Sequence, residues 1–357
     1  MRRRVSAAAL VCVLVAPVAA NSPAADLAAH GHWKRLKAQV EPRAAANPND
    51  AEAQWLLSRV RAAFRDFENA LAPAEKAAAL DPRNADYQWQ LAQVVGDLAQ
   101  EASVFRQIGL AKRYRREVEA AIAIDPRHTG ALTGLMEFYN RAPGIVGGDK
   151  KKAGQTADRI AEIDKVDGCI AKVRLLSQQS PAPLAEIEQV WVQAVQADPS
   201  RWEPHANLAN IYAGGQSPRY ELAEKEAQIV RRLDPDRVVA YGVLASVYSA
   251  QERWADLDAV LADAEKRIPD NLSPYLRSAG TLTTTGKDLA RAERYARKYV
   301  SQEPEPNAPS HAVAHWRLGL VLEKQGRKAD AIAELQTAAR MDPAFEQAQK
   351  DLKRVKG

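Results

Sequence analysis

Gly144-Ile-Val-Gly147-Gly148-Asp149-Lys150 comes nearest to phosphate chemistry in residue type. Glycines let backbone N–H groups close around an anion, and the start of a following helix strengthens such a site. The required order is Gly, four residues, then Gly-Lys-Ser/Thr. Here Asp149 precedes Lys150, and Lys151 stands where the hydroxyl is needed. The segment reads instead as a long turn between two helices. Six histidines offer a second chemistry. His30 and His32 are two apart and do not share a helix face. His311 and His315 are four apart and do share one. A zinc peptidase helix needs Glu directly after the first His, and Ala312 is there instead. No Gly-x-Ser-x-Gly elbow occurs. Cys169 reads as a small helical residue. No catalytic residue, cofactor or metal is expected.

Charge narrows the classes further. Lys+Arg is 50 and Asp+Glu 45, a net +5 over 357 residues. Arg2, Arg3 and Arg4 supply three of those charges. Without residues 1–20 the balance is 47 against 45, or +2. Nucleic-acid binders need clustered Lys and Arg, so no nucleic-acid partner is expected. The Arg run, the apolar stretch Val5–Val15, Pro17 and the small residues Val18-Ala19-Ala20 form a secretory signal peptide over 1–20. Pro17 cuts the apolar run short of the roughly 20 residues a spanning helix needs. The expected product is therefore periplasmic or secreted, with no stable membrane insertion. Only Cys169 remains after cleavage, which excludes an intrachain disulfide.

What must position any site is a ladder of helices. Pro recurs at 48, 82, 126, 199, 235, 269, 304 and 343, usually after Asp. Ile163-Asp164-Lys165 looks like one more corner whose Pro was replaced. With Lys165 in that slot the spacings are 34, 44, 39, 34, 36, 34, 35 and 39. Within the unit ending at Pro269, Tyr241, Leu244, Ala245 and Tyr248 are followed by Leu257, Leu261 and Ala264. The last unit carries Leu318, Gly319, Leu322, Gly326, Ala331, Leu335 and Ala338. These residues resemble the tetratricopeptide repeat, a helix–turn–helix unit with a period near 34. The resemblance spans nearly all of 33–343. It implies an all-α, right-handed superhelical solenoid with helix A inside and helix B outside.

The expected organisation is a signal peptide (1–20), an N-terminal partial repeat (21–47), about eight repeat units (48–343) and a capping helix (344–357). Insertions fall near 97–116 and 142–149. Each pair is expected to touch mainly its neighbours. The resemblance also implies which helix A positions face the concave groove. They select Trp89, Gln93, Asn207, Asn210, Trp316 and Arg317 as contacts for a peptide or protein. Chaperone-binding repeats use a Lys/Asn carboxylate clamp, but Ala206 replaces the Lys that would accompany Asn207 and Asn210. The expected function is a non-enzymatic interaction scaffold of the cell envelope. The alternative is a ligand-sensing or catalytic protein with a site assembled across repeats.

Overall fold

The computed structural model describes residues 22–357. The signal peptide assigned to 1–20, with Cys12, lies outside the described residues. Among those described, all regular structure is helical. Nine helical hairpins and a last helix follow in order. They are α1 (Pro23–His30) with α2 (Trp33–Ala46), α3 (Ala51–Ala63) with α4 (Phe67–Leu80), and α5 (Ala85–Glu101) with α6 (Val104–Ile124). Next come α7 (Thr129–Arg141) with α8 (Lys150–Ile163), α9 (Lys165–Leu176) with α10 (Leu184–Ala197), and α11 (Trp202–Ala213) with α12 (Tyr220–Leu233). Then follow α13 (Val238–Ala250) with α14 (Trp254–Arg267), α15 (Ser273–Thr285) with α16 (Leu289–Val300), and α17 (His311–Lys324) with α18 (Lys328–Met341). Helix α19 (Glu346–Lys356) closes the end. This is the helix–turn–helix solenoid that the resemblance implies.

The Asp-Pro corners have a local cause. Pro cannot continue the preceding helix. The Asp before it folds its carboxylate back to accept the backbone N–H two residues on. Asp81, Asp125, Asp198 and Asp342 do this over 2.9–3.2 Å. At Asp164 the missing Pro changes the corner. Asp164 ends α8 and also caps α9, accepting the Asp167 N–H at 2.8 Å, so the two helices join with no turn between them.

Small residues set how closely helices approach. Ala70, Ala74, Ala223, Ala227, Ala331 and Ala338 are fully buried at hairpin seams. Between α13 and α15, Ser249 meets Ser278 at 2.6 Å and Ser246 meets Thr281 at 2.8 Å. The odd-numbered helices thus pack directly on one another, as α11, α13, α15 and α17 do in succession. The even-numbered ones pack mainly on odd-numbered neighbours. The odd helices therefore form the inner layer, where the circumference is shorter. One large cluster runs from Val166 to Val355, with Tyr241, Leu244 and Leu257 wholly buried in it, beside a small one of Ala206, Val230 and Ala240. Before Val166 the core divides into smaller clusters.

Contact between neighbours alone, the expectation for a solenoid, does not hold at the N-terminus. The first hairpin meets the corners that follow α12, α14 and α16. His30 Nε2 lies 3.0 Å from Asp234, and Arg237 donates to the Ala29 carbonyl at 2.6 Å. His32 and Arg35 both reach Asp270, and the Lys34 N–H reaches Glu305. The solenoid curves until its beginning rests on its own later edge.

Candidate functional site in the inner groove

The extra residues near 97–116 lengthen α5 and α6 to 17 and 21 residues. Those near 142–149 form a short 3-10 turn at Gly144–Val146. The two insertions converge. A side chain at Gly147 would collide with the Arg115 guanidinium, and Arg115 also lies over the Tyr139 ring at 5.8 Å. Gly148 is fixed by close approach, because a Cβ there would overlap the Ala142 carbonyl. The Asp149 carboxylate takes the N–H groups of Lys151 and Lys152 at the start of α8. Amides that could cradle a phosphate are thereby already occupied.

Together the insertions frame a cavity of about 940 Å³ lined by α5, α6, α7 and α9 and by the start of α11. Trp89 and Gln93 line it, with Asp97, Thr133, Glu137 and Arg174. Trp89 is half-buried and covers Gly134, where any Cβ would overlap its ring. Gln93 is exposed. The charges that line the cavity are largely paired. Arg174 meets Glu137 at 2.6 Å, and Arg201 meets Asp167 at 3.0 Å and Glu203 at 3.1 Å. Burial pushes the Asp97 carboxyl up to about 6, with the Arg65 charge opposing and Glu101 adding. At the rim stand Ile108 and Ile145, 46% and 88% exposed. They edge a cleft of mixed polarity.

The other four candidate residues lie further along the inner layer. Asn207 and Asn210 each return their amide to the carbonyl four residues back, and the Asn210 oxygen accepts from Arg277 at 2.9 Å. Trp316 donates to the buried Asp351 of α19 at 2.8 Å and meets the Phe345 ring edge-on at 5.4 Å. Arg317 is half-buried and extends over Gly280 of α15. The six candidates thus fall into a cleft group and a distal group. His311 and His315 are not drawn together either. His315 meets Glu334 at 2.6 Å, and His311 meets the Gln302 carbonyl at 3.0 Å.

Sequence reasoning passed over Arg277, although it holds in α15 the register position that Arg317 holds in α17. That equivalence was the available signal. It also passed over Asp97 and Arg174, whose placement depends on the insertions.

No protein-family model matches the chain, and no curated protein matches it. Solved structures resembling it include yeast Tom70, at 14% identity over 93% of this chain and 80% of that one, TM-score 0.49. A tetratricopeptide repeat protein from Parabacteroides merdae also has 14% identity, over 76% of this chain and 99% of that one, TM-score 0.49. A thermophilic TPR protein from Thermus thermophilus has 19% identity over 53% of this chain and 94% of that one, TM-score 0.44.

Proposed function

We propose that the protein is a non-enzymatic interaction scaffold of the cell envelope whose inner groove holds a peptide segment of a protein partner. The cleft between the two insertions carries this reading. It is large, open along the groove, mixed in polarity and edged by exposed Ile108 and Ile145. An extended chain suits such a surface, because aromatic and aliphatic anchors sit among polar groups that meet backbone amides. The charged pairs Glu137–Arg174 and Arg201–Asp167 satisfy one another, which supports a recognition surface over a reacting one. Trp89, Gln93, Asn207, Asn210, Trp316 and Arg317 are the proposed contacts. Residues 1–20 export the chain, and the mature protein begins near Asn21.

Two measurements test this. Intact mass of the exported product should start near Asn21, and a membrane-bound product keeping Met1 would contradict the location. With a captured envelope partner, Trp89→Ala should weaken binding by about thirtyfold while the fold survives. Unchanged binding for Trp89→Ala, Asn210→Ala and Arg317→Ala, with loss from substitutions on α14, would place the site outside the groove. One observation favours the alternative of a ligand-sensing or catalytic site: a carboxyl with a raised pKa in a large cavity, which Asp97 is. A small molecule carried by the purified protein through native mass spectrometry, and lost in Asp97→Asn, would favour that alternative.

A further inference from the structure

Most arginines of this chain that leave the open surface find an acid. Arg43, Arg201, Arg237, Arg253 and Arg291 are each within 4 Å of at least one carboxylate. The half-buried arginines with none, among the described residues, are Arg59, Arg61, Arg277 and Arg317. Each of the four has an uncharged partner instead. Arg59 lies over the rings of Trp33 and Trp55, and Arg61 donates to the Asn69 carbonyl at 2.8 Å. Arg277 donates to the Asn210 oxygen at 2.9 Å and Arg317 lies over the Trp316 ring at 5.4 Å, and these two occupy equivalent places on consecutive inner helices.

Their geometry is built by glycine. Arg277 crosses α13 at Gly242, its Cδ 3.3 Å from where a Cβ would stand, and reaches Asn210 on α11. Arg317 crosses α15 at Gly280, where a Cβ would overlap Nη1. Each arginine thus reaches back across the inner helix that precedes its own. Burial and the charge of Arg317 lower the Arg277 pKa, and burial lowers that of Arg317. Both remain cations near neutral pH, because arginine starts so high. Two like charges partly withdrawn from water, with no carboxylate beside them, destabilise the free protein. An incoming carboxylate relieves both costs, and the planar fork of arginine matches it with two parallel hydrogen bonds.

We propose that Arg277 and Arg317, with Asn210 holding Arg277 in place, form an anion site on the inner face that takes Asp or Glu side chains of a partner's acidic segment. The inference rests on reading the groove as the binding surface and names the chemistry of its occupant. Charge complementarity selects that occupant: the floor here is cationic and unpaired, whereas the cleft near Trp89 holds paired charges and the carboxyl of Asp97.

The test uses the mature chain and two fluorescein-labelled peptides, acetyl-Gly-Glu-Glu-Glu-Glu-Gly-amide and its all-Gln counterpart, followed by anisotropy. The Glu peptide should bind at least about tenfold tighter than the Gln peptide at low salt, and added salt should erode the difference. Arg277→Gln combined with Arg317→Gln should abolish that preference, while Arg340→Gln, an exposed control on α18, should keep it. Gly280→Ala supplies a second variant that keeps every charge. Alanine favours the helix but displaces Arg317, so it should weaken the Glu peptide with the melting temperature held or raised. The double Gln variant should also melt no lower than the parent. Equal affinity for both peptides, no binding of either, or an unchanged preference in the double variant would overturn the anion site. A partner still crosslinked from Gln93 under those outcomes would leave the groove reading intact.

Discussion

His32 Nδ1 lies 2.9 Å from the Asp270 carboxylate, across 238 residues of chain. Arg35 grips the same carboxylate at 3.0 and 2.8 Å, and both oxygens of the buried Glu305 face the Lys34 N–H. This cluster makes the N-terminal hairpin a strut between the start of the solenoid and its seventh and eighth units. Asp270→Asn removes the negative charge and one of the two acceptor oxygens that serve the buried His32 and the half-buried Arg35. It should cost ~2–3 kcal/mol. Hydrogen exchange should quicken over residues 23–46 and at the corner after α14. Unchanged protection there would mean that the helices are held by α3 alone.

The same cluster gives the closure a pH window. Burial works against the Asp270 charge, but hydrogen bonds from His32 and Arg35 outweigh it and hold its carboxyl well below the ordinary 3.8. Burial, with the neighbouring Asp270, pushes Glu305 up to about 7 from 4.5, against the Lys34 N–H. The lowered group contributes stability above 3.8 and loses it as pH falls. The raised group contributes fully below 4.5 and loses it as pH rises through about 7. His30 and Lys34 face the same cluster. Protection of residues 23–46, corrected for intrinsic exchange, should peak between about pH 4 and 7. Glu305→Gln should remove the alkaline decline, and a decline equal to the parent's would contradict this assignment.

Leu244 is wholly buried within the large cluster that runs from Val166 to Val355. Leu244→Ala should cost ~2–5 kcal/mol. Because the cluster crosses units, the loss should spread beyond α13 and α14 into α11 and α15. Loosening confined to residues 238–267 would count against coupled repeats.

Trp316 offers a choice between anchoring and binding that one substitution separates. Trp316→Phe keeps the ring against Phe345 but leaves the Asp351 carboxylate without its indole donor. A cost of ~1–2 kcal/mol with faster exchange over α19 is expected. Weakened binding without any change in α19 would show that its main work is in the groove.

The repeat pattern made the hairpins, the corners and the buried positions legible, since each follows from spacing within about 35 residues. The corner at Asp164 was readable for the same reason, whereas the direct junction of α8 and α9 there is set by the Asp164 carboxylate that caps α9. The contacts of His32 with Asp270 and of Lys34 with Glu305 were not, because superhelical curvature accumulates from small rotations that no single repeat encodes. The cleft was half legible. Trp89 and Gln93 follow from register, whereas Asp97 and Arg174 join them only through the packing of the two insertions. Arg277 was legible in register, but its lack of an acidic partner is a property of the folded groove.

Which face of the solenoid meets a partner can be read directly. A photo-crosslinking amino acid placed at Gln93 on the inner face, and separately at Ala262, exposed on α14, can be activated in intact cells. A scaffold that binds through its inner groove gives one discrete adduct to an envelope protein from Gln93, diminished by Trp89→Ala, and none from Ala262. Adducts from Ala262 alone, or identical adducts from both positions, would contradict it.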